Sequence, residues 1–574
     1  MAALKPEQAS TVKTINQFGG LEYPARLSAD SAAEMRNFRI LSDGSLEKRC
    51  GYESRIRFSN PIRGIWQGMI METSYLFVVA GDTVYRKRAD DNAVTPIYYL
   101  SNSTESVTFV FYNGWLYLLD GSTVLIYRTS ISNFMTANGY TPLYGRNWHP
   151  TELGEVYERP NLIQNSLRVH YLNSGAATTF RLPFTAASIE RVKVNGSGIS
   201  SYTFTPETSS FSIPSSVAAV GTVEVLFTPS AAFSRRPQTV KAKNASVYWD
   251  SKHETLMCFD GKSGYHVYCS RPVSKEMLDQ CNLICVNADA LYLPDDLSFA
   301  VGSHQQPIQA LCQLREQMLV FNEDNVWAIR HTNTSDELDI FHIRSGVGCC
   351  TVNGVCRADN SIVTVDSGGL LRLNFRTGDP DFCEAEYLSP AQNRLWGADA
   401  LKNATVFWEK REKELWFRDR NDNGAVVWIL DPDQGNWYSF DNVPANEFLE
   451  LDGRTAFCAS DGGLCVFDES LTTDDEAGIR ATYLSHFFDF SKPDQLKRVM
   501  RALLCLQSAG GTVTLELETE RGTKSFSFTA ASEDVPEALD RRVATGRFRF
   551  LRFRLTAEGK DRSRIYSLSL AANP

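Results

Sequence analysis

Short runs of apolar and aromatic residues, each broken by a Gly, Asp, Asn or Ser pair and then resumed, dominate this chain and read as β-hairpins. The turns come in order at Ser42-Asp43-Gly44-Ser45, at Gly81-Asp82 inside YLFVVAGDTVYRK, and at Asp120-Gly121-Ser122 inside WLYLLDGSTVLIYR. They continue at Asp260-Gly261 after TLMCF, at Glu323-Asp324 inside QMLVFNEDNVWAIR, and at Ser367-Gly368-Gly369 inside SIVTVDSGGLLRLN. The last two are Asp422-Asn423-Gly424, between ELWFRDR and AVVWIL, and Asp461-Gly462-Gly463 inside TAFCASDGGLCVF. Apart from one long gap the turns recur about every 40 to 60 residues, close to the period of propeller blades. A lone four-stranded blade exposes two apolar faces, and packing blades around an axis buries both. The pattern therefore predicts an all-β fold with a six- or seven-bladed β-propeller, and the hairpin near Gly44 is expected to lend the last blade an N-terminal strand.

The long gap has another texture. SLRVHYL, TTFRLPF, SIERVKV, SYTFTP, SFSIP and TVEVLFTP, separated by Ser, Thr and Gly, predict a small inserted β-sandwich or barrel over residues 160–235. Beyond Glu476, alternating strands such as RVMRALLCLQ, TVTLELET and RFRFLRFRLT predict a C-terminal β-sandwich over 478–574. That leaves an N-terminal arm and the first blades in 1–159 and the remaining blades in 236–477. The best helix signal follows Ser274, a candidate cap, with Cys281 and Cys285 on one face.

Composition narrows the function. Apolar residues make up 43% of the 574 and charged residues 22%, enough for several buried cores. The net charge of −10 comes from 58 basic and 68 acidic residues without long runs, which argues against tight nucleic-acid binding. No apolar leader or membrane-length stretch is present, so a soluble protein made in the cytoplasm is expected, without membrane insertion. Thirteen cysteines lack C-x-x-C spacing and read as reduced core thiols.

The sequence carries no complete catalytic motif. Gly261-Lys262-Ser263 ends like a phosphate loop, but Leu256 stands where its first glycine belongs. Tyr265 stands where the last glycine of a serine-hydrolase elbow would fall, and H-E-x-x-H and calcium-loop patterns are absent. The eight histidines are scattered; His253 and His266 could share a hairpin, but without a third ligand they read as structural. Asp295-Asp296, Asp431/Asp433 and Asp474-Asp475-Glu476 read as solvated turns, and Trp249, Trp327, Trp416, Trp428 and Trp437 as blade core. No catalytic, cofactor-binding or metal-binding residue is assigned, and the chain is read as not an enzyme.

The opening stretch carries more specific information: Phe18-Gly19-Gly20-Leu21, then Glu34 to Phe38, then Asp43-Gly44-Ser45-Leu46-Glu47-Lys48-Arg49-Cys50-Gly51-Tyr52. With residues 307–330 and 346–373, it resembles the tail-nozzle family of short-tailed bacteriophages, also called tail tubular protein B or packaged-DNA stabilisation proteins. The family-like positions are Asn37, Phe38, Asp43, Gly44, Leu46, Arg49, Gly51 and Tyr52. Cys50 departs from the pattern, where the family more often has proline. The resemblance implies a virion tail protein forming a homo-oligomeric ring, usually a hexamer, below the portal and adaptor and in contact with tail fibres or tailspikes. Such a ring encloses the DNA exit channel, retains packaged double-stranded DNA and passes it during ejection without sequence-specific binding. The rival expectations are a propeller or tail-tip protein that binds host-surface carbohydrate, and a polysaccharide hydrolase.

Overall fold

The computed structural model describes residues 11–573 except 23–27, 92, 103, 105, 231–241, 243, 260–263, 304, 333–334, 377, 389–395, 397 and 420–424. The turns at Asp260-Gly261 and Asp422-Asn423-Gly424, the Gly261-Lys262-Ser263 triplet and His304 lie outside the described residues. The fold is all-β, with Lys275–Ile284 the longest helix among those residues. The chain divides into two compact units, Met1–Ile62 with Asn353–Asn374 and Glu384–Pro574, and Arg63–Val352 with Phe375–Cys383.

Seven four-strand sheets or sheet segments follow one another along the chain; the first five stand alone, the sixth is one end of a nine-stranded sheet and the seventh is part of a six-stranded sheet. The first holds Ile62–Ile70, Thr73–Ala80, Thr83–Arg88 and Thr95–Tyr99, and the second holds Thr108–Tyr112, Trp115–Leu119, Val124–Arg128 and Asn133–Thr136. The third holds Asn244–Trp249, Glu254–Phe259, His266–Cys269 and Ser298–Ala300, and the fourth runs from Ala310–Leu314 to Ser335–Ser345. The fifth runs from Val355–Ala358 to Asp379–Tyr387, and the sixth from Thr405–Glu409 to Asn436–Phe440. The seventh joins Ala445–Leu451, Arg454–Ala459 and Gly463–Asp468 to Gly51–Arg57 from the other end of the chain.

The near-continuous apolar runs have a direct cause in the second sheet, which is buried on both faces. Tyr117, Leu119, Val124 and Ile126 enter one core with Leu256 and Cys258 of the third sheet. Their alternates Leu116, Leu118, Leu125 and Tyr127 enter another with Phe77 and Val79 of the first. Side chains alternate across a strand, so a strand with two cores must be apolar at every position. Met257, Phe259 and Val267 extend the stack to Met318, Val320 and Ile329 of the fourth sheet.

Between the second and third sheets lies an insert that begins with Leu143–Trp148, earlier than the 160 read from the sequence. Its five-stranded sheet runs Leu143–Trp148, Leu167–Asn173, Gly221–Pro229, Ala186–Val194, Ser197–Ile199. It faces a three-stranded sheet of Thr179–Arg181, Ser210–Ser212 and Thr203–Thr205, over a core of Val169, Tyr171, Phe180, Phe211, Val223 and Val225. The insert is tethered to its own unit by Arg168 Nε donating to Thr141 O (2.9 Å) and by Arg191 donating to Ile284 O (2.8 Å) at the end of the helix. Ser274 Oγ caps that helix by accepting from Met277 N (3.2 Å).

The terminal sandwich draws on both chain ends. One sheet orders Phe38–Ile40, Leu46–Lys48, Ser563–Asn573, Arg498–Ser508 and Glu537–Arg542, with Thr11–Ile15 also bonded to Ser563–Asn573. The other places Ala32–Arg36 beside Ala481–Ser485, then Leu551–Glu558, Thr512–Thr519 and Gly522–Thr529. The hairpin around Gly44 thus joins this sandwich, while Gly51–Arg57 completes the seventh sheet. Among the described residues no helix is long and apolar enough to cross a membrane.

Candidate functional site

The family-like positions converge on a buried polar hub in the first unit. Asn37, at φ 55°, ends Ala32–Arg36 in the left-handed region, which asparagine tolerates better than most residues. Its Nδ2 donates to Asp441 Oδ1 (2.5 Å) and Arg480 O (2.7 Å), and its Oδ1 accepts from Arg49 Nε (2.8 Å). Arg49 makes a bidentate pair with Asp474, at 2.7 and 2.6 Å, and also donates to Cys50 O and Asp441 O. Both side chains of the pair are almost fully buried, at 1% and 2% exposure. Asn442 Nδ2 adds a third donor to Asp474 at 3.0 Å.

The remaining positions brace this hub. Tyr52 donates its hydroxyl to Asn442 O (2.8 Å) and sets its ring edge-on to Phe457 and Phe467. Gly51 lies so close to the next backbone segment that a Cβ there would sit 1.8 Å from Thr473 O. Phe38 and Leu46 are fully buried in the first unit's core. Gly44, at φ 79°, closes a turn in which Asp43 Oδ1 accepts from Ser45 N (3.0 Å) and Ser45 Oγ (2.6 Å). Arg564 donates to Asp43 Oδ2 at 2.6 Å. Each of these residues makes an internal contact in the first unit.

Asp474 corrects the reading of Asp474-Asp475-Glu476 as a solvated turn. It is buried because Arg49, remote in sequence, supplies the compensating charge. Asp431 does behave as a turn residue, accepting from Asp433 N and Gln434 N, and Asp296 pairs with Arg271 at 3.1 Å.

Another carboxylate is Glu414, buried in the sixth sheet beside a cleft of about 180 Å³ lined by residues including Arg39, Glu409, Trp416 and Arg454. Burial pushes its carboxyl up, while Arg39 (2.8 Å), the Tyr438 hydroxyl (2.5 Å) and Trp416 Nε1 (3.0 Å) oppose that rise. With its oxygens engaged in this way, it serves as structural glue for the sheet.

The histidines pair differently from the sequence expectation. His253 stacks on His331 of the fourth sheet, with ring centroids 4.0 Å apart, and His266 takes no part in that stack. Asp250 lies between them: His253 Nδ1 is 3.1 and 3.2 Å from its two oxygens, and His331 Nδ1 is 2.9 Å from Oδ2. Burial disfavours the Asp250 carboxylate. The amides of Lys252 and His253, the His253 ring and the Tyr248 hydroxyl outweigh it and hold the carboxyl well below its ordinary range. Trp249 corrects the reading of that tryptophan as core. It is 65% exposed, because Tyr248 takes the inward position on the strand, whereas Trp416 and Trp437 are buried.

No protein-family model matches the chain, and no curated protein matches it. Among solved structures, the extracellular domain of the putative one component system BT4673 from B. thetaiotaomicron aligns with TM-score 0.38 and 9% identity over 92% of this chain. This chain spans 63% of that one. The BBS1N–ARL6DN complex gives 0.34 at 10% identity, covering 74% of this chain and 98% of that one. A mitotic checkpoint complex gives 0.32 at 11%, covering 78% and 98%. Scores this low carry no argument about function.

Proposed function

We propose that this chain is a non-enzymatic structural protein of a bacteriophage particle, a tail-nozzle subunit built on a seven-bladed β-propeller. The observation that carries the reading is the run of seven four-strand units, five of them separate sheets, the last completed by Gly51–Arg57, which begins within the family-like motif. Joining the first and last parts of the chain in one sheet is how a propeller protects its edges. The motif residues support the reading because they form the interior anchor of that N-terminal strand. A rigid shell of two-sided sheets suits a part that holds DNA under pressure. A net charge of −10 suits a channel that lets a polyanion slide, since a basic lumen would bind phosphates through counterion release. The insert and the terminal sandwich supply surfaces for neighbouring copies, the adaptor and portal, and fibres or tailspikes.

Quantitative mass spectrometry of purified particles against the portal, with antibody labelling in the electron microscope, tests this. About six copies at the tail is the expected result. Many copies over the capsid, or absence from particles, would overturn it. The exposed ring of Trp249 favours one alternative, a propeller binding host-surface carbohydrate, which predicts glycan-array binding with tryptophan quenching.

A further inference from the structure

We propose that Asp250, His253 and His331 form a binding site for one divalent transition-metal ion of the zinc class, which clasps the third four-stranded sheet to the fourth. The three side chains offer one ligand atom each within 4.8 Å of one another. Asp250 and His253 come from the turn between Asn244–Trp249 and Glu254–Phe259, and His331 from Asn325–Thr332, so the ligands belong to two sheets of one compact unit. Imidazole with carboxylate is a donor set that suits zinc, cobalt, nickel or copper, in contrast to the all-oxygen sets of magnesium and calcium.

The hydrogen-bond arithmetic points the same way. Asp250 Oδ1 accepts from Lys252 N (2.7 Å) and His253 N (2.8 Å), which fixes the carboxylate against its own turn. Oδ2 is approached by the Tyr248 hydroxyl at 3.1 Å, His331 Nδ1 at 2.9 Å and His253 Nδ1 at 3.2 Å. The Tyr248 hydroxyl has a second acceptor in Glu316 O (3.2 Å) and His253 Nδ1 is also 3.1 Å from Oδ1, so it is the two ring nitrogens that converge on this one carboxylate. A cation bound there would take a lone pair from each ring nitrogen and from the carboxylate. Bonds of about 2.0–2.2 Å at tetrahedral angles place ligand atoms roughly 3.3 Å apart, close to the 2.9 to 3.2 Å between the ring nitrogens and the Asp250 oxygens. The side chains are 11%, 23% and 13% exposed for Asp250, His253 and His331, sheltered yet reachable by an ion. The Tyr248 hydroxyl or a water molecule would take the fourth position.

The test uses full-length protein stripped with EDTA and titrated with Zn2+ by calorimetry and with Co2+ by absorption spectroscopy. The expected result is one equivalent bound, with weak visible cobalt bands, no near-ultraviolet thiolate charge transfer, and a higher melting temperature with zinc than with EDTA. His253→Ala and Asp250→Asn should each weaken binding by at least about tenfold, with melting in EDTA reported alongside to show that the variants fold. His253 sits on a turn, so its variant remains readable even if His331→Ala does not fold. No saturable binding, thiolate charge-transfer bands from any of the thirteen cysteines, or undiminished binding by His253→Ala would overturn the proposal. The result is independent of where the chain resides in a particle.

Discussion

The inserted sandwich and the terminal sandwich are both two-sheet β-modules, but they are assembled in opposite ways. The insert is written in one continuous stretch from Leu143 to Pro229, with its own core around Tyr171, Phe180 and Phe211. The terminal sandwich needs strands from both ends: Thr11–Ile15 pairs with Ser563–Asn573, and Ala32–Arg36 lies beside Ala481–Ser485. The first arrangement can be added to or removed from a scaffold. The second ties the sandwich to the sixth and seventh sheets, through Arg36 against Ser439 and Gly51–Arg57 against Gly463–Asp468. Function that tolerates variation suits the insert, and mechanical continuity suits the terminal module.

The largest expected effect tests that contrast directly. Removing residues 1–48 should abolish folding of the first unit, seen as loss of its cooperative transition and rapid proteolysis. Residues 143–229 produced alone should give a folded domain with its own transition. A first unit that folds without its N-terminal strands, or an insert that does not fold alone, would break the comparison.

Next in size is the hub. Arg49→Met strands the Asp474 carboxylate in the interior, and breaking a buried pair from one side costs about 3–5 kcal/mol. The loss should appear in the first unit's denaturant transition and leave the isolated insert's value untouched. Because the penalty comes mainly from the abandoned charge, Arg49→Met combined with Asp474→Leu should recover much of it. If the double variant is as unstable as the sum of the singles, the hub is held by geometry and not by charge compensation.

How far these features were legible depends on how local their causes are. The strand runs and turns were legible, because Tyr117 and Leu118 feed different cores and leave an apolar mark at every position. The hub was not, since Arg49 and Asp474 lie 425 residues apart and Asp474 sits among acidic neighbours that imitate a solvated turn. His253 and His266 do flank one hairpin, Glu254–Phe259 with His266–Cys269, but the stacking of His253 on His331 was not legible, because that companion lies in the next sheet and is brought near only by packing. The start of the insert was missed because Leu143–Trp148 pairs in parallel with Leu167–Asn173 through two register shifts, which blurs the alternation that marks a strand.

The smallest expected effect lies at the Gly44 turn and depends on pH. Burial works against the Asp43 carboxylate, but the Ser45 hydroxyl and amide and the Arg564 guanidinium outweigh it and hold its pKa below the ordinary 3.8. The folded state therefore binds this proton less tightly than the unfolded chain does. The stabilisation is present above that ordinary value and is lost as pH falls through the lower folded value. Asp43 is about half exposed, with a side-chain exposure of 47%, so solvent screens the pair and the effect is modest. Asp43→Asn should lower the first unit's stability slightly at pH 6, and the gap to wild type should narrow as the pH is brought to about 3. The isolated insert, which lacks this turn, supplies the baseline for acid sensitivity. Parallel stability curves for variant and wild type across that range would mean that the Asp43 charge adds nothing, leaving strand pairing and contacts such as Arg562–Glu47 (2.9 Å) to hold the two chain ends together.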